Sequence, residues 1–282
     1  MPGQGRGRVE LRNVSIAFGD EWERQTVVRD CSFVLEQEKL NVLVGPSGCG
    51  KSTILNLIAG YERPTAGEIL IDGEPVTGPG SDRLVVFQES ALFPWMTTLE
   101  NVMFGPLVRG VDAKEAKRRA RRLIERVGLK GFALKYPLQL SGGMQRRAEL
   151  ARALINEPKV MLMDEPFRGL DAMTRELMQE YFLQLFEEER VTTVFVTSEL
   201  EEAIFLADRL FILTFRPATI KKVLEVDLPR PREFHMLTSH HYGELKAEAL
   251  EALYEEGVKA FAKGSKAAYD LVEAFSRRAG KV

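Results

Sequence analysis

The chain has 282 residues, enough for one large α/β domain or two modest ones with a substantial core. Hydrophobic residues make up 45% and charged residues 28%, which excludes an intrinsically disordered chain. The net charge of −2 argues against nucleic acid as a partner, so any anion site must be local.

The cysteines and the hydropathy pattern indicate the compartment of the protein and whether it spans a membrane. Cys31 and Cys49 lie far apart and in no metal-ligand spacing, which predicts a reducing compartment. The first thirteen residues lack the apolar stretch of a secretory signal, and no apolar run approaches the roughly 18 to 20 residues of a spanning helix. We therefore expect a soluble chain that other chains would have to hold at a membrane.

Short apolar runs alternate with helical patterns along most of the chain. The predicted strands are LNVLVG, LVVFQ, VMLMD and TTVFVT, at 40–45, 84–88, 160–164 and 192–197. The helical patterns are STILNLIAG, AKEAKRRARRLIERVG, MQRRAELARALIN and AMTRELMQEYFLQLFEEE, at 52–60, 113–128, 144–156 and 172–189. Continuous apolar runs suit strands buried on both faces of a parallel sheet, so the alternation predicts an open α/β sheet.

Other segments depart from this alternation. Residues 7–38 and 64–80 are rich in turns and alternating apolar residues, which predicts antiparallel β-structure. A largely helical subdomain is predicted at about 89–155, inserted into a domain that spans 1–232. Residues 233–282 are helical in pattern and mixed in charge, which predicts a C-terminal helical extension that packs on its own domain or on a partner.

The segment GPSGCGKST follows a predicted strand and opens a predicted helix. It fits the G-x-x-x-x-G-K-[ST] phosphate loop in the context that this motif requires. Its glycines let successive N–H groups point at phosphate oxygens, and the helix N-terminus adds a positive dipole end. Lys51 supplies charge for the β- and γ-phosphates, and Ser52 a hydroxyl for Mg²⁺. The sequence therefore predicts a site for ATP and Mg²⁺ formed by Gly45, Pro46, Ser47, Gly48, Cys49, Gly50, Lys51, Ser52 and Thr53.

Two further segments are candidate parts of the same site. Asp164 and Glu165 end the predicted strand VMLMD, where one carboxylate could hold Mg²⁺ and the other polarise an attacking water. In LSGGM, Ser141 is a candidate helix N-cap, and Gly142 and Gly143 leave backbone N–H groups uncovered. Each segment alone would more simply be a solvated loop or an ordinary capped helix.

The phosphate loop, VFQ, LSGG, DEP and LDA occur in the order found in the ATP-binding-cassette (ABC) ATPases, which the chain resembles over about residues 8–230. The resemblance implies an α/β fold with a P-loop NTPase (RecA-like) core, an antiparallel β subdomain and an inserted α-helical subdomain. It also implies head-to-tail dimers, homo- or heterodimeric, that hold two ATP molecules between the subunits.

The resemblance assigns roles to the candidate residues. Lys51 and Ser52 match positions that serve the chain's own ATP, and Ser52, Gln88 and Asp164 match Mg²⁺ ligands. Glu165, Gln88 and Ser198 occupy the catalytic positions. The residues that match contacts across the dimer interface are Ser141, Gly142, Gly143 and Asp171; Asp171 could equally cap helix 172–189. Phe18 occupies the position of an aromatic that stacks on adenine, although core packing is an alternative for a lone phenylalanine.

Finer segments resemble the importer ATPases for nitrate, taurine and aliphatic sulfonates: ESALFPWMTTLENVMFG, LDAMTR and FRPATIKKVLEVDLPRPRE. The implied partners are integral membrane permease subunits and, indirectly, a solute-binding protein. The chain would then be a peripheral subunit at the cytoplasmic face of the inner membrane. The segment around Phe93, Pro94 and Trp95 would lie near the groove for a permease coupling helix, with packing inside the helical subdomain as the alternative.

The pattern departs from these relatives at Ser198, where they carry a switch histidine. His235, His240 and His241 do not replace it by position and are expected on the surface. Serine lacks the reach of an imidazole, so we expect the site to bind ATP and hydrolyse it slowly. Ser198 is also predicted to cap a helix that begins near Glu199.

Four interpretations stay open at this point, one of them a non-catalytic, nucleotide-sensing assembly subunit, which only Ser198 suggests. The chain could be a competent importer ATPase, or a weakened subunit whose LSGGM segment completes the site of a different ATPase subunit. It could also be a soluble ABC ATPase of DNA repair or translation, although it lacks the long coiled-coil or zinc-bearing insertions of that class.

Overall fold

The computed structural model describes residues 7–20 and 22–262. In chain order the strands are β1 (Val9–Phe18), β2 (Gln25–Leu35), β3 (Leu40–Val44), β4 (Ala66–Ile71), β5 (Glu74–Pro75), β6 (Arg83–Val86), β7 (Val160–Asp164), β8 (Thr192–Thr197), β9 (Arg209–Leu213) and β10 (Ile220–Glu225). The helices are α1 (Lys51–Ala59), α2 (Thr98–Val108), α3 (Ala113–Arg126), α4 (Gly142–Leu154), α5 (Ala172–Glu189), α6 (Leu200–Leu206) and α7 (His240–Ala262). Short 3₁₀ turns lie at Pro137–Gln139 and Phe234–Thr238.

The central sheet has six strands in the order β10-β9-β3-β8-β7-β6. Its strands are parallel except for β10, which pairs antiparallel with β9 at one edge. Every side chain of β3 and β8 is buried, as continuous apolar runs require. The predicted parallel strands are confirmed with one correction. β6 ends at Val86 rather than at residue 88, so Gln88 lies in the loop that follows the strand.

A second sheet of four antiparallel strands has the order β2-β1-β4-β5. Along β1, Val9, Leu11, Val14 and Ile16 are buried while their neighbours are half-buried or exposed. These side chains, helix α1 and one face of the central sheet share a single apolar cluster. The antiparallel β-structure predicted for 7–38 and 64–80 is thus confirmed, and α1 packs against both sheets.

The helical segment lies between β6 and β7 in the chain. Helix α2 begins with a capping box in which the Thr97 hydroxyl accepts from Glu100 N and the Glu100 carboxylate accepts from Thr97 N. Helices α2 and α3 pack on α4, and their apolar side chains join the cluster on the other face of the central sheet. The domain boundaries at 89, 155 and 232 stay a prediction.

The C-terminal part that the structure describes is one long helix, α7. Its buried residues recur every three or four positions, at Tyr242, Leu245, Ala249, Ala252 and Glu256, which gives the helix one face against the domain. The remainder of the predicted extension, residues 263–282, lies outside the described residues. Within 7–20 and 22–262, the helices are all too short or too polar to cross a membrane.

Candidate functional site

The loops that carry Lys51, the acidic pair and Ser198 meet at one edge of the central sheet. Val44 at the end of β3 is level with Thr197 at the end of β8, and Asp164 at the end of β7 is level with Val196. The carboxyl ends of parallel strands therefore bring together the phosphate loop, the acidic pair and Ser198. Gln88 follows the neighbouring strand β6 and is exposed in its loop.

The phosphate loop curls through left-handed backbone at two glycines. Gly48 has φ +73° and Gly50 has φ +121°, conformations that favour glycine. A Cβ on Gly45 would lie 2.8 Å from the Cys49 sulfur, so this position also has no room for a side chain. Cys49 is fully buried and packs inside the loop. This burial raises the pKa of its thiol. Among the described residues no side chain caps α1, so its first N–H groups are available to an anion.

Lys51 is 5% exposed and its ammonium group is held inside the loop. It donates to the carbonyls of Gly45 at 2.8 Å and Pro46 at 3.1 Å. An ammonium has three donors, so one remains for a phosphate oxygen. The Lys51 nitrogen lies 4.0 Å from Glu165 Oε1, so the cation and the acidic pair belong to one site.

Ser52 and Asp164 fit the predicted Mg²⁺ position. The Ser52 hydroxyl donates to Asp164 Oδ1 at 3.1 Å, which places two oxygen ligands side by side. Burial raises the pKa of Asp164, against the hydrogen bond from Ser52; a cation bound there would oppose this effect. The described residues hold no group of three or more His, Cys, Asp or Glu placed to bind a metal.

Glu165 is the most constrained residue of the site. Its backbone is left-handed, with φ +41°, an uncommon conformation for a residue with a side chain. Ser198 Oγ donates to Oε1 at 2.6 Å, and Arg168 Nη1 donates to Oε2 at 2.7 Å. Burial opposes ionisation, but these hydrogen bonds and the charge of Lys51 outweigh it and lower the pKa of Glu165. Glu165 is therefore an ionised, oriented carboxylate, as a group that polarises a water must be.

The capping role predicted for Ser198 is wrong. Helix α6 begins at Leu200 with Glu199 as its N-cap and no side-chain cap. The N–H of Glu199 donates to the hydroxyl of Thr197, at 3.0 Å. The Ser198 hydroxyl instead donates to Glu165, because the end of β8 lies beside the end of β7. It lines a small cavity of about 130 Å³ with Ser47, Glu165 and Arg168.

The LSGG segment and the LDA segment form adjacent helix starts. Ser141 caps α4 by accepting from Met144 N at 3.3 Å, and Asp171 caps α5 by accepting from Thr174 N at 3.0 Å. A Cβ on Gly143 would lie 3.0 Å from the Thr174 side chain, so a small residue is needed where the two segments touch. Ser141, Gly142 and Asp171 are exposed, and these helix starts are therefore open to a partner.

A buried ion pair on α4 holds the loop that contains Gln88, and sequence reasoning missed it. Arg146 and Glu149 lie 2.6 Å apart with side chains 7% and 3% exposed. Arg146 donates to the carbonyls of Phe87 and Gln88, at 2.7 and 2.8 Å, and Glu149 accepts from Ala91 N at 2.5 Å. Helix α4 and the loop that contains Gln88 are thus one hydrogen-bonded unit.

Phe18 is the last residue of β1 and is 40% exposed, so it is not a core residue. Its cross-strand partner is Gln25, whose side chain accepts from Arg216. Arg216 also donates to the Gly48 carbonyl in the phosphate loop. The ring therefore lies at the end of a hydrogen-bonded connection to the loop, which is compatible with adenine stacking.

Two arginines beside the site, Arg168 and Arg216, were not predicted from the sequence, and only Arg168 has a local sequence signal. Arg168 lies three residues after Glu165, a spacing at which side chains meet within one turn. Arg216 is far from the phosphate loop in the sequence and carries no such signal. The three histidines are exposed, as predicted: their side chains are 71%, 90% and 47% accessible at His235, His240 and His241.

Comparisons with known proteins agree with this geometry. The family model described as "ABC transporter" matches residues 28–168. The taurine import ATP-binding protein of Pseudomonas aeruginosa is 43% identical over 223 residues, 79% of this chain and 85% of that protein. The nitrate import ATP-binding protein of Synechocystis sp. is 42% identical over 225 residues, 80% and 85% of the two chains.

A solved structure shows the same fold at lower identity. It is a dimeric ATP-binding cassette in a post-hydrolysis state bound to ADP and Pi, with a TM-score of 0.66 and 29% identity, covering 78% of this chain and all of that one. The P-loop core, its antiparallel sheet and the inserted helices are therefore those of an ABC cassette. The chain belongs to the ABC transporter family of ATPases.

Proposed function

We propose that this chain is the ATP-binding and ATP-hydrolysing subunit of an importer for a small anionic solute such as nitrate, taurine or another sulfonate. The convergence of Lys51, the Ser52–Asp164 pair and ionised Glu165 at one sheet edge carries the ATPase part of the proposal. The import part rests on relatives named as taurine and nitrate import proteins.

The chemistry follows from the positions of these groups. The phosphate loop residues 45–53 and Lys51 bind the triphosphate, while Ser52, Asp164 and Gln88 hold Mg²⁺. A Mg²⁺ ion held by these three residues would supply positive charge beside the β- and γ-phosphates. Glu165 polarises the water that attacks the γ-phosphate, and Phe18 stacks on the adenine.

Dimer closure completes the site. The N-terminus of α4, where Ser141 and Gly142 are exposed and Gly143 is buried behind them, contacts the γ-phosphate bound to a second subunit. Asp171 contacts that subunit across the interface. A site shared between two chains is dry only when the chains meet, which strengthens its electrostatics and couples hydrolysis to movement.

The helical segment carries the proposed contact with the permease. Trp95 is 70% exposed and packs beside Phe93, their ring centroids 5.6 Å apart. A cavity of about 510 Å³ opens there, lined by Tyr61, Phe87, Phe93 and Phe104 among others. Exposed aromatics around a cavity suit an inserted helix. The chain would then act at the cytoplasmic face of the inner membrane, with a solute-binding protein as an indirect partner.

A second proposal is that this chain's own site is catalytically weakened. The Ser198 hydroxyl donates its hydrogen to Glu165 at 2.6 Å. A serine side chain is also too short to reach a γ-phosphate as an imidazole would. Such a subunit would contribute its helix α4 to the competent site of a different ATPase subunit.

Nucleotide binding by the phosphate loop is tested with Lys51→Ala. We expect the dissociation constant for Mg-ATP to rise about 10- to 100-fold, because a charge-assisted hydrogen bond to phosphate is lost. Lys130→Ala, at a side chain 82% exposed, is the matched control and should bind like the parent. Equal affinity of the Lys51→Ala variant and the parent would reject the ATPase proposal.

The rival of a soluble ABC ATPase predicts different companions. Co-purification of a permease and a solute-binding protein with the tagged chain supports the importer. Recovery of ribosomes or nucleic acid in their place would contradict it.

A further inference from the structure

A buried carboxylate anchors the C-terminal helix to the turn between β9 and β10. Glu256 on α7 is 1% exposed although it is a charged residue. Its carboxylate accepts from Phe215 N at 2.7 Å, from Lys221 Nζ at 3.0 Å and from Lys259 Nζ at 2.7 Å. Because Phe215 and Lys221 lie on either side of the turn, one side chain of α7 holds both of its ends.

The turn is rigid for other reasons as well. The Thr214 hydroxyl donates to Pro217 O and accepts from Thr219 N. Ala218 bonds β2 through both of its backbone groups, with Val27 O at 2.7 Å and Arg29 N at 3.2 Å. Little freedom is left to the residue in the middle of the turn, Arg216.

Arg216 connects this turn to the phosphate loop. Its Nε donates to the carbonyl of Gly48, and its Nη1 donates to Gln25 Oε1 at 3.3 Å. Its Nη2 lies 3.6 Å from the point where a Cβ on Gly48 would stand. Gly48 is exposed and left-handed, and the next N–H, that of Cys49, closes the loop onto Pro46 O. The arginine therefore binds the phosphate loop at Gly48, an exposed glycine with left-handed backbone.

We propose that Arg216 is a positioning residue of the phosphate loop, held in place by Glu256, so that the C-terminal helix α7 sets the affinity for nucleotide. The proposal rests on nucleotide binding by the phosphate loop, and it adds a part of the chain that the ATPase proposal leaves without a role.

Arg216 should raise the affinity of the phosphate loop for nucleotide through two physical effects. The hydrogen bond to the Gly48 carbonyl favours one loop conformation, so less conformational entropy is lost when phosphate binds. The guanidinium also adds a fixed positive charge beside an anion site. Both effects act on bound ATP and bound ADP alike and are unrelated to the attacking water. Loss of Arg216 should therefore change binding and KM and leave kcat unchanged.

The test compares the full chain with Arg216→Ala, Glu256→Ala and the double variant. We expect Arg216→Ala to raise the dissociation constants of Mg-ATP and Mg-ADP by a similar factor, about two- to tenfold. Glu256→Ala should weaken binding by a smaller factor. The double variant should be no weaker than Arg216→Ala alone, because Glu256 acts through the arginine.

Matched controls separate positioning from folding. Arg121→Ala on α3 and Glu251→Ala on α7 change exposed residues of the same types and should bind like the parent. Arg216→Lys keeps the charge but not the guanidinium geometry, so it should restore part of the affinity. Circular dichroism and thermal melting verify that each variant is folded.

Three results would overturn the inference. Unchanged affinity of Arg216→Ala, with Lys51→Ala still defective, would reject the role of Arg216 and leave the ATPase proposal standing. Additive effects of the two substitutions would show that Glu256 does not act through Arg216. A parent chain without affinity for Mg-ATP would reject both proposals together.

Discussion

Both carboxylate oxygens of Glu165 are engaged, one by Ser198 and one by Arg168. A base held in this way is well oriented, and its pKa is lowered, so it is a weaker proton acceptor than a free glutamate. The hydroxyl at 198 thus orients Glu165 without extending the network toward a phosphate. At the residue scale, the weakened-site proposal therefore depends on the identity of residue 198.

Substitution of this residue gives a direct prediction. Ser198→His should raise the rate of ATP hydrolysis, by up to about 100-fold if one misplaced group limits the reaction. The reason is that an imidazole can reach past Glu165 to the γ-phosphate and hold the attacking water. The measurement is steady-state phosphate release by the purified assembly at saturating Mg-ATP.

Ser198→Ala is the control for this experiment, because it removes the hydrogen bond to Glu165 and adds no reach. Its rate should not exceed that of the parent. If the histidine variant also hydrolysed ATP at the parental rate, the weakened-site proposal would be wrong.

At the scale of elements, helix α4 is the main connection inside the helical segment. Its N-terminus carries Ser141, and within the next two to three turns Arg146 and Glu149 hold the loop of Gln88. Arg146 is buried, so water cannot replace the carboxylate as its partner. Burial lowers the pKa of Arg146, and the charge of Glu149 opposes that effect. The loop that contains Gln88 and the LSGGM segment at the start of α4 should therefore move together, as one rigid unit.

Breaking this ion pair should destabilise the fold. Glu149→Ala leaves Arg146 buried without its counter-ion, a change that costs about 3 to 5 kcal/mol. The free energy of unfolding, measured in urea, tests the prediction. The matched control is Glu115→Ala on α3, which removes an exposed pair at the same i,i+3 spacing with Arg118 and should have a much smaller effect. Equal losses in the two variants would show that the buried pair has no special role.

At the scale of the whole molecule, the chain offers two separable surfaces. One is its own ATP site around Lys51 and Glu165; the other is the exposed start of α4 at Ser141 and Gly142. The departure at Ser198 affects the first surface and leaves the second intact. A homodimer would therefore contain two slow sites, whereas a heterodimer could contain one fast site.

This difference predicts the outcome of mixing. The chain combined with an ABC ATPase subunit that carries the histidine should hydrolyse ATP faster than the sum of the separate proteins. Ser141→Arg in this chain should abolish the gain, because in the proposed dimer that residue would face the partner's ATP. Lys51→Ala in this chain should largely preserve it. A purely additive rate in the mixture would favour the homodimer.

The secondary structure and the local chemistry could be predicted because they depend on neighbouring residues. Apolar runs of five or six residues identified β3, β7 and β8, since strands covered on both faces have no polar side. The caps at Ser141 and Asp171 followed from side chains that bond N–H groups three residues away. The phosphate loop followed from glycines that permit left-handed backbone and from one lysine.

The interactions that tune the site were decided by tertiary structure. Ser198 and Glu165, Arg146 and the Gln88 carbonyl, and Arg216 and the Gly48 carbonyl are 33, 58 and 168 residues apart. The sequence determined which groups are present and which elements carry them. Only the order of strands in the central sheet and the packing of α4 and α7 decided which groups meet. A hydrogen bond forms only when two distant segments are brought within about 3 Å of each other.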